Sequence, residues 1–226
     1  MTAYPSEPWH LAGSLLVSVF LVPPDALPVI VIPDGRRPLR WGRRVIVGAA
    51  FVHYVPPGVL EYDEFLVAVP SFGRGGLRVT ITQIWVDSAA SVAGGRELWG
   101  IPKQLAQFGR TQTLADVATR SVTSSGDTAT ASMTLPPAST PVASIEARYG
   151  RALFPGMPRL PLPTLQALDG RRILSHNRVI GRIGALRAAW TFDPAGQLGY
   201  LSGRRPFLSI AIRHAAIIFG MNVQRA

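Results

Sequence analysis

The 226-residue sequence predicts a mostly β fold. Short runs rich in Val, Ile and aromatic residues are bounded by turn residues, which is the pattern of β-strands. The 22 Gly and 20 Pro are spread along the chain and indicate many turns. Helix signals are few, and 47% apolar residues supply a sizeable core. We therefore expect one domain over residues 1–226, mainly antiparallel, closed or sandwiched so that its strand edges are protected.

The apolar runs place the predicted elements along the chain. Strands are predicted at 14–22, 29–32, 44–55, 65–69, 77–86, 111–122, 128–135 and 142–149. Residues 71–76 are predicted to connect two of these strands, and 124–127 to form a hairpin connection. The proline-rich residues 153–163 are expected to be irregular, 172–190 contain a further apolar run, and the periodicity of 207–223 leaves helix and strand open. The best helix signal covers 102–108, where Pro102 suits the first helical position.

Several classes of function lack their residues. The chain has no Cys, which excludes disulfides, thiolate metal sites and cysteine nucleophiles. The four His are far apart and no nucleotide-binding glycine pattern occurs between a strand and a helix, so we expect neither a metal nor a cofactor. The first ten residues carry no Lys or Arg, and prolines interrupt the apolar stretch 13–32. We expect a cytoplasmic protein with no membrane partner.

The formal net charge of +10 raises the hypothesis of nucleic-acid binding. The arginines, however, form scattered pairs and no dense stripe with interleaved aromatic residues. A basic field that attracts anionic substrates fits the same charge. We therefore expect no nucleic-acid partner, and a basic nucleic-acid-binding β-barrel is the third hypothesis for this chain.

One cation differs from all the others. Among the 23 Lys+Arg residues, Lys103 is the single lysine. Arginine stays protonated, whereas a buried lysine can lose its proton and attack a carbonyl carbon. A bias towards arginine in the coding sequence explains the rest of the count, so a lysine that persists is a candidate for a role that arginine cannot fill.

The surroundings of Lys103 favour a reactive amine. It follows Pro102 and has Trp99, Ile101 and Leu105 nearby. An amine that forms imines must be neutral near pH 7, far below the reference pKa of about 10.4. Burial among apolar side chains lowers a lysine pKa by up to ~3–5 units, and a helix N-terminus at Pro102 adds a smaller effect of the same sign. The segment therefore predicts a lysine with a lowered pKa, and the alternative is a surface lysine that only caps the turn.

The segment also resembles a known active-site stretch. Gly95-Arg96-Glu97, a short gap and then Pro102-Lys103 is similar to the pattern of the acetoacetate decarboxylase superfamily. In that family a catalytic carboxylate in a Tyr-x-Glu element lies 39 residues before the imine-forming lysine, and this spacing falls on Glu64. The resemblance runs from about residue 25 to 108. It implies a mostly β (α+β) fold, an antiparallel closed β-barrel or cone with a few short helices.

The same resemblance implies the chemistry. Lys103 would form a Schiff base with a keto acid, and Glu64 would move protons to and from the substrate. The expected reaction is lyase chemistry, either β-keto acid decarboxylation or an aldolase/dehydratase reaction, in secondary metabolism. The expected assembly is a homo-oligomer. The further candidates for the substrate site are Trp99, Gln104, Arg96 and Glu97.

The sequence departs from the family pattern at three places. Gln104 stands where the decarboxylases carry a second lysine, no arginine occurs near Gly13, where the family has one that engages the substrate carboxylate, and a second acid is missing near Gly48 or Ala49. These departures argue against acetoacetate as the substrate and leave imine formation unaffected. They also support the second hypothesis, a non-catalytic barrel of the same fold that binds a hydrophobic or carbonyl metabolite.

Overall fold

The computed structural model describes residues 2–30, 32–111 and 127–226. Within these ranges the chain forms fourteen β-strands and one α-helix, with short 3-10 turns at Pro24–Ala26, Pro33–Gly35 and Gly199–Leu201. The elements are β1 (Trp9–Val22), β2 (Arg37–Pro38), β3 (Arg40–Trp41), β4 (Arg44–Val55), β5 (Tyr62–Gly73), β6 (Gly76–Val86), α1 (Ala89–Trp99), β7 (Lys103–Leu105), β8 (Gln107–Arg110), β9 (Thr128–Thr134), β10 (Ala143–Ala152), β11 (Arg159–Pro161), β12 (Thr164–Leu168), β13 (Arg171–Phe192) and β14 (Leu208–Arg225). The predicted mostly β class is confirmed.

The strands form one sheet in which neighbours are mainly antiparallel. Its order is β12-β6-β5-β4-β1-β14-β13-β10-β9-β8, and β12 also pairs with β13. β12 and β6 share one parallel register pair, Thr164 with Val79, and the Thr80 hydroxyl of β6 donates to the carbonyl of Leu165 of β12 at 3.1 Å. A closed barrel or cone goes further than these pairings and stays a prediction.

Both faces of the long central strands are buried, so the sheet separates two apolar cores. Phe51 of β4 and Phe65 of β5 belong to one core, together with Trp85 of β6. Val52 and Tyr54 of β4 belong to the other. Because successive side chains of a strand point to opposite faces, each central strand contributes to both cores. The second core contains the cavity described below.

Most predicted strands are found close to their predicted bounds, and 207–223 is a strand. Residues 159–161, within the segment 153–163 expected to be irregular, form β11 beside β13. Two further predictions are wrong. The predicted strand at 29–32 lacks strand structure at its described residues, and Val29 is 99% exposed. The helix predicted at 102–108 does not form, because residues there pair as β7 beside β6 and as β8 beside β9. Except for Thr111 and Asp127, the predicted strand 111–122 and the hairpin connection 124–127 lie outside the described residues.

In the described part of the chain, no helix combines the length and the hydrophobicity that crossing a membrane requires.

Candidate active site

Lys103 is the first residue of β7, a short strand that pairs in parallel with β6. Its register partner is Ile84, and its backbone N–H donates to the carbonyl of Ile101 at 2.8 Å. Strand alternation turns Lys103 inwards and Gln104 outwards, so that Lys103 is 4% exposed while Gln104 is exposed. The amine is therefore carried by a fixed element of the sheet.

Helix α1 covers the lysine side chain. The helix begins after Ser88, whose hydroxyl accepts from the N–H of Ser91 at 3.2 Å. It ends at Gly100, which adopts the left-handed conformation with φ 63°. Ser91, Gly95 and Trp99 are spaced four residues apart and form its buried face. This face, which the sequence analysis missed, lies against Lys103.

Gly95 permits the close contact between helix and lysine. A Cβ atom at Gly95 would lie 2.7 Å from Cδ and 2.9 Å from Cε of Lys103, closer than atoms pack without displacement. A larger residue would therefore have to push the aliphatic stem of the lysine away from the helix. The glycine of the Gly95-Arg96-Glu97 pattern thus has a steric reason.

The Lys103 ammonium has a hydrogen-bond partner for each of its three protons. Nζ donates to Oε2 of Glu64 at 2.8 Å, to Oγ of Ser91 at 2.8 Å and to the hydroxyl of Tyr62 at 3.2 Å. Glu64 is itself 3% exposed, so this is a buried ion pair. Two of the three partners lie on β5 and the third on α1, which fixes the position of the nitrogen.

Two tyrosines complete the carboxylate's surroundings. Oε1 of Glu64 accepts from the Tyr54 hydroxyl at 3.2 Å and Oε2 from Tyr62 at 3.4 Å. Tyr54 and Tyr62 are register partners on β4 and β5, and their ring centroids are 4.4 Å apart. Burial and the neighbouring Glu64 carboxylate raise the pKa of Tyr62 to about 12 and hold the pKa of Tyr54 well above its ordinary value. Both hydroxyls therefore stay neutral donors at physiological pH.

The electrostatics of Lys103 correct the predicted mechanism of activation. Burial lowers the pKa of Lys103, as predicted, but the attraction of the Glu64 carboxylate and of Tyr62 outweighs it, so the net pKa is raised above its ordinary value. The predicted help from a helix N-terminus is also absent, since Lys103 follows the C-terminal end of α1. The amine is buried but protonated, so it must lose a proton before Nζ can attack a carbonyl carbon.

A cavity of about 320 Å³ opens beside this ion pair. Glu64, Tyr54, Tyr62 and Lys103 line one part of it, and the rest is lined mainly by aliphatic side chains of β1, β4, β5, β6 and β14. Lys103 therefore borders a space large enough for a small organic molecule. No group of three His, Asp or Glu side chains within the described ranges is arranged to hold a metal ion.

The structure brings together some of the predicted site residues and not others. Lys103, Glu64 and Trp99 all line the cavity. Arg96, Glu97 and Gln104 are exposed and do not line it, so their predicted contact with the substrate is not supported. Arg96 instead donates from Nη1 to the backbone carbonyl of Lys103 at 3.3 Å and so steadies β7.

Gly13 and Gly48 explain two departures from the family pattern in physical terms. A Cβ atom at Gly13 would lie 2.0 Å from the backbone oxygen of His53, so no side chain fits there without moving β1 away from β4. Gly48 and Ala49 line the cavity, and their small size adds to its volume. Close contact between β1 and β4 at Gly13, and apolar cavity surface at Gly48 and Ala49, thus stand where the family has charged groups.

A second ionic centre, in which His53 and Asp63 are buried and Arg110 is exposed, lies on the opposite face of β5. Oδ1 of Asp63 lies 2.7 Å from Nδ1 of His53 and 3.1 Å from Nη1 of Arg110. Asp63 does not line the large cavity, because it alternates with Tyr62 and Glu64 along the strand. The sequence contains no separate signal for this cluster.

Comparison with known proteins agrees with this architecture. The family model for acetoacetate decarboxylase matches residues 1–165. The chain belongs to the acetoacetate decarboxylase family. Membership supports an enzyme of the lyase type, while a search of curated proteins finds no match.

Three solved structures share the fold of this family member. Acetoacetate decarboxylase from Legionella pneumophila subsp. pneumophila str. Philadelphia 1 is 16% identical, with a TM-score of 0.75 over 100% of this chain and 90% of that chain. The enduracididine biosynthesis enzyme MppR complexed with pyruvate is 19% identical, with a TM-score of 0.62 over 97% of this chain and 88% of that chain. An acetoacetate decarboxylase-like enzyme from Sphingomonas wittichii RW1 is 13% identical, with a TM-score of 0.67 over 97% and 92% of the two chains. At these identities the likeness shows the fold.

Proposed function

We propose that this family member is a Schiff-base enzyme in which Lys103 forms an imine with a carbonyl substrate, within one domain spanning residues 1–226. The observation that carries the proposal is the position of Lys103, whose buried side chain lines an apolar cavity and whose Nζ lies 2.8 Å from the Glu64 carboxylate. An amine in this setting has a proton acceptor within reach and a space for a substrate.

The raised pKa of Lys103 requires that activation begins with proton transfer to Glu64. The proton moves along the existing 2.8 Å hydrogen bond from Nζ to Oε2 and leaves a neutral amine and a carboxylic acid. Nζ adds to the carbonyl carbon and passes one of its own protons to the carbonyl oxygen. The resulting hydroxyl group leaves as water with a second proton, which comes from Glu64. The product is a protonated imine facing the Glu64 carboxylate, so the total charge of the site is the same before and after the step.

The protonated imine then serves as the electron sink. Glu64 removes a proton from the neighbouring carbon to give an enamine, or a carbon–carbon bond at that carbon breaks with its electron pair entering the enamine. Decarboxylation of a β-keto acid, retro-aldol cleavage and aldol condensation followed by dehydration all use this intermediate. Tyr54 and Tyr62 hold the carboxylate towards the substrate through their hydroxyl groups.

Reductive trapping tests the proposal directly. The protein is incubated with sodium cyanoborohydride and acetone, pyruvate or acetoacetate, and the intact mass is measured. Because Lys103 is the single lysine, a reduced adduct lies on this residue or on the α-amine, and peptide mapping separates the two. We expect an adduct at Lys103 that is lost in Lys103→Arg.

A matched control moves the lysine to the surface. Arg74 is exposed, so a variant combining Lys103→Arg with Arg74→Lys keeps the composition and presents an ordinary amine to solvent. We expect this variant to show no more adduct than Lys103→Arg alone. Equal trapping in the wild type and in the relocated-lysine variant would refute a special role for Lys103.

A non-catalytic protein that binds an apolar metabolite is the second candidate function. The aliphatic lining of the cavity and the raised pKa of Lys103 favour it. It predicts that apolar ligands raise the melting temperature of the wild type and of Lys103→Arg alike, with no adduct in either. The Schiff-base proposal predicts a covalent adduct that depends on Lys103.

A further inference from the structure

We infer that the carbonyl substrate is uncharged and carries an apolar tail: an aliphatic or aryl ketone or aldehyde of about twelve non-hydrogen atoms. This inference rests on the proposed function and names the substrate class of the same site. A keto acid, with its carboxylate beside the carbonyl group, is disfavoured. Three independent features of the cavity support it: its charge balance, its lining and its volume.

The charge balance leaves no partner for a substrate carboxylate. Among the described residues that line the cavity, Lys103 and Glu64 are the charged ones, and they neutralise each other. After imine formation the positive charge sits on the imine nitrogen and still faces Glu64. A carboxylate on the substrate would add a second negative charge next to Glu64 in an apolar space, and burying an unpaired charge is strongly unfavourable.

The apolar lining continues far from the reactive nitrogen. From Glu64 to Ala68 the cavity follows β5 over four residues, which corresponds to about 14 Å of extended strand. The walls of this distal part are formed by Leu66, Ala68, Val79, Ile81, Ile210 and Val17. These aliphatic side chains cannot hydrogen-bond to a polar molecule such as pyruvate, and they suit a hydrocarbon chain or ring.

The volume sets the size of the ligand. An apolar cavity of about 150 Å³ in another protein holds one benzene molecule, which has six non-hydrogen atoms. The cavity of about 320 Å³ is roughly twice as large and corresponds to about twelve such atoms. A tail that fills it also excludes solvent from the ion pair, which favours the neutral pair of amine and carboxylic acid that imine formation needs.

Four carbonyl probes test the inference on the wild-type protein. Cyanoborohydride trapping at Lys103 is measured over a concentration series for 2-decanone, acetone, 2-oxodecanoate and pyruvate, and the half-saturating concentrations are compared. We expect 2-decanone to half-saturate at a concentration at least about 100-fold below those of acetone and of both keto acids. 2-Oxodecanoate is the decisive probe, because it has the same alkyl tail as 2-decanone and carries a carboxylate in place of the methyl group on the carbonyl carbon.

The outcomes separate the inference from the function on which it rests. If either keto acid half-saturates at or below the concentration of 2-decanone, the apolar, uncharged substrate class is overturned while imine formation at Lys103 stands. If acetone matches 2-decanone, the tail contributes nothing and the inference is likewise overturned. If no probe gives an adduct at Lys103, the proposed function itself fails.

A pair of variants tests the distal walls. Ala68→Leu adds three carbon atoms inside the far part of the cavity, whereas Ala138→Leu adds the same atoms at an exposed position outside it. We expect Ala68→Leu to reduce the preference for 2-decanone over acetone at least about tenfold and Ala138→Leu to leave the preference as in the wild type. An unchanged preference in Ala68→Leu would show that the tail lies elsewhere and would overturn the inference.

Discussion

Replacing Glu64 by Gln should make Lys103 more nucleophilic and the enzyme less active. The substitution keeps the shape of the side chain and removes its charge. At 2.8 Å and an effective dielectric constant of about 20, the attraction between Nζ and the carboxylate amounts to about 6 kcal/mol. Without it, burial is the largest remaining influence on the pKa of Lys103 and lowers it. More of the amine is then neutral at pH 7.

Two assays measure the opposed effects. Acetylation of Lys103 by p-nitrophenyl acetate at pH 7 is followed by peptide mapping, since an acetylated lysine resists trypsin. We expect the rate in Glu64→Gln to rise at least about tenfold. Exchange of the α-protons of acetone for deuterium, which needs a base after imine formation, should fall at least about 100-fold.

A surface variant provides the control. Glu61→Gln changes an exposed acid three residues away and should leave both rates within about twofold of the wild type. If acetylation in Glu64→Gln were as slow as in the wild type, the carboxylate would not be what holds the proton on Lys103. The account of the ion pair would then be wrong.

Three more variants probe the surroundings of the site. Gly95→Ala should slow imine trapping at least about tenfold, because its Cβ would meet Lys103 Cδ at 2.7 Å, while the melting temperature changes by a few degrees at most because Ala favours helix. Burial raises the pKa of Tyr62 from 10.0 to about 12, so this residue contributes stability that is present below pH 10 and is lost as the pH rises through 12. Raising the pH from 9 to 12 should therefore destabilise the wild type, and urea unfolding of Tyr62→Phe should show a loss smaller by about 2 kcal/mol. Asp63→Asn should cost about 1.5–3 kcal/mol in urea unfolding, because the His53 and Arg110 hydrogen bonds lose a charged acceptor, while trapping at Lys103 changes less than twofold.

Each of these predictions has a clear contrary result. If the melting temperature of Gly95→Ala fell by much more than a few degrees, the loss of trapping would indicate general unfolding instead of displacement of the lysine. An alkaline loss of stability in Tyr62→Phe equal to that of the wild type would assign the loss to other groups. A large drop of trapping in folded Asp63→Asn would show that the two faces of β5 are coupled.

The sequence was sufficient to find the two charged residues that line the cavity. Lys103 stood out as the single lysine, and Glu64 followed from the spacing of the family pattern. Strand alternation in Tyr62-Asp63-Glu64 then places the tyrosine and the glutamate on the same face. The sign of the pKa shift was not predictable in this way. It depends on whether the carboxylate comes within hydrogen-bond distance of an amine 39 positions later in the chain, and the sheet register decides this.

Helix α1 and the exposed motif residues show why local signals failed. Gly94 and Gly95 weaken the helix signal of residues 89–99, while Pro102 imitates a helix start that the pairing of β7 with β6 overrides. Arg96 and Glu97 belong to the family pattern, yet helical periodicity turns them away from the face that carries Ser91 and Gly95. Membership in a motif therefore did not imply contact with the cavity.

The back-to-back arrangement on β5 has a consequence for folding. Asp63 serves one ionic centre and Glu64, its neighbour in the chain, serves the other. A slip of β5 by one position would move each carboxylate to the opposite face of the sheet. Lys103 and Arg110 would then both lose their counter-charges. Two ion pairs, one on each face of the sheet, thus favour the correct register of this strand. A misaligned folding intermediate would bear the free-energy cost of unpaired charges on both faces.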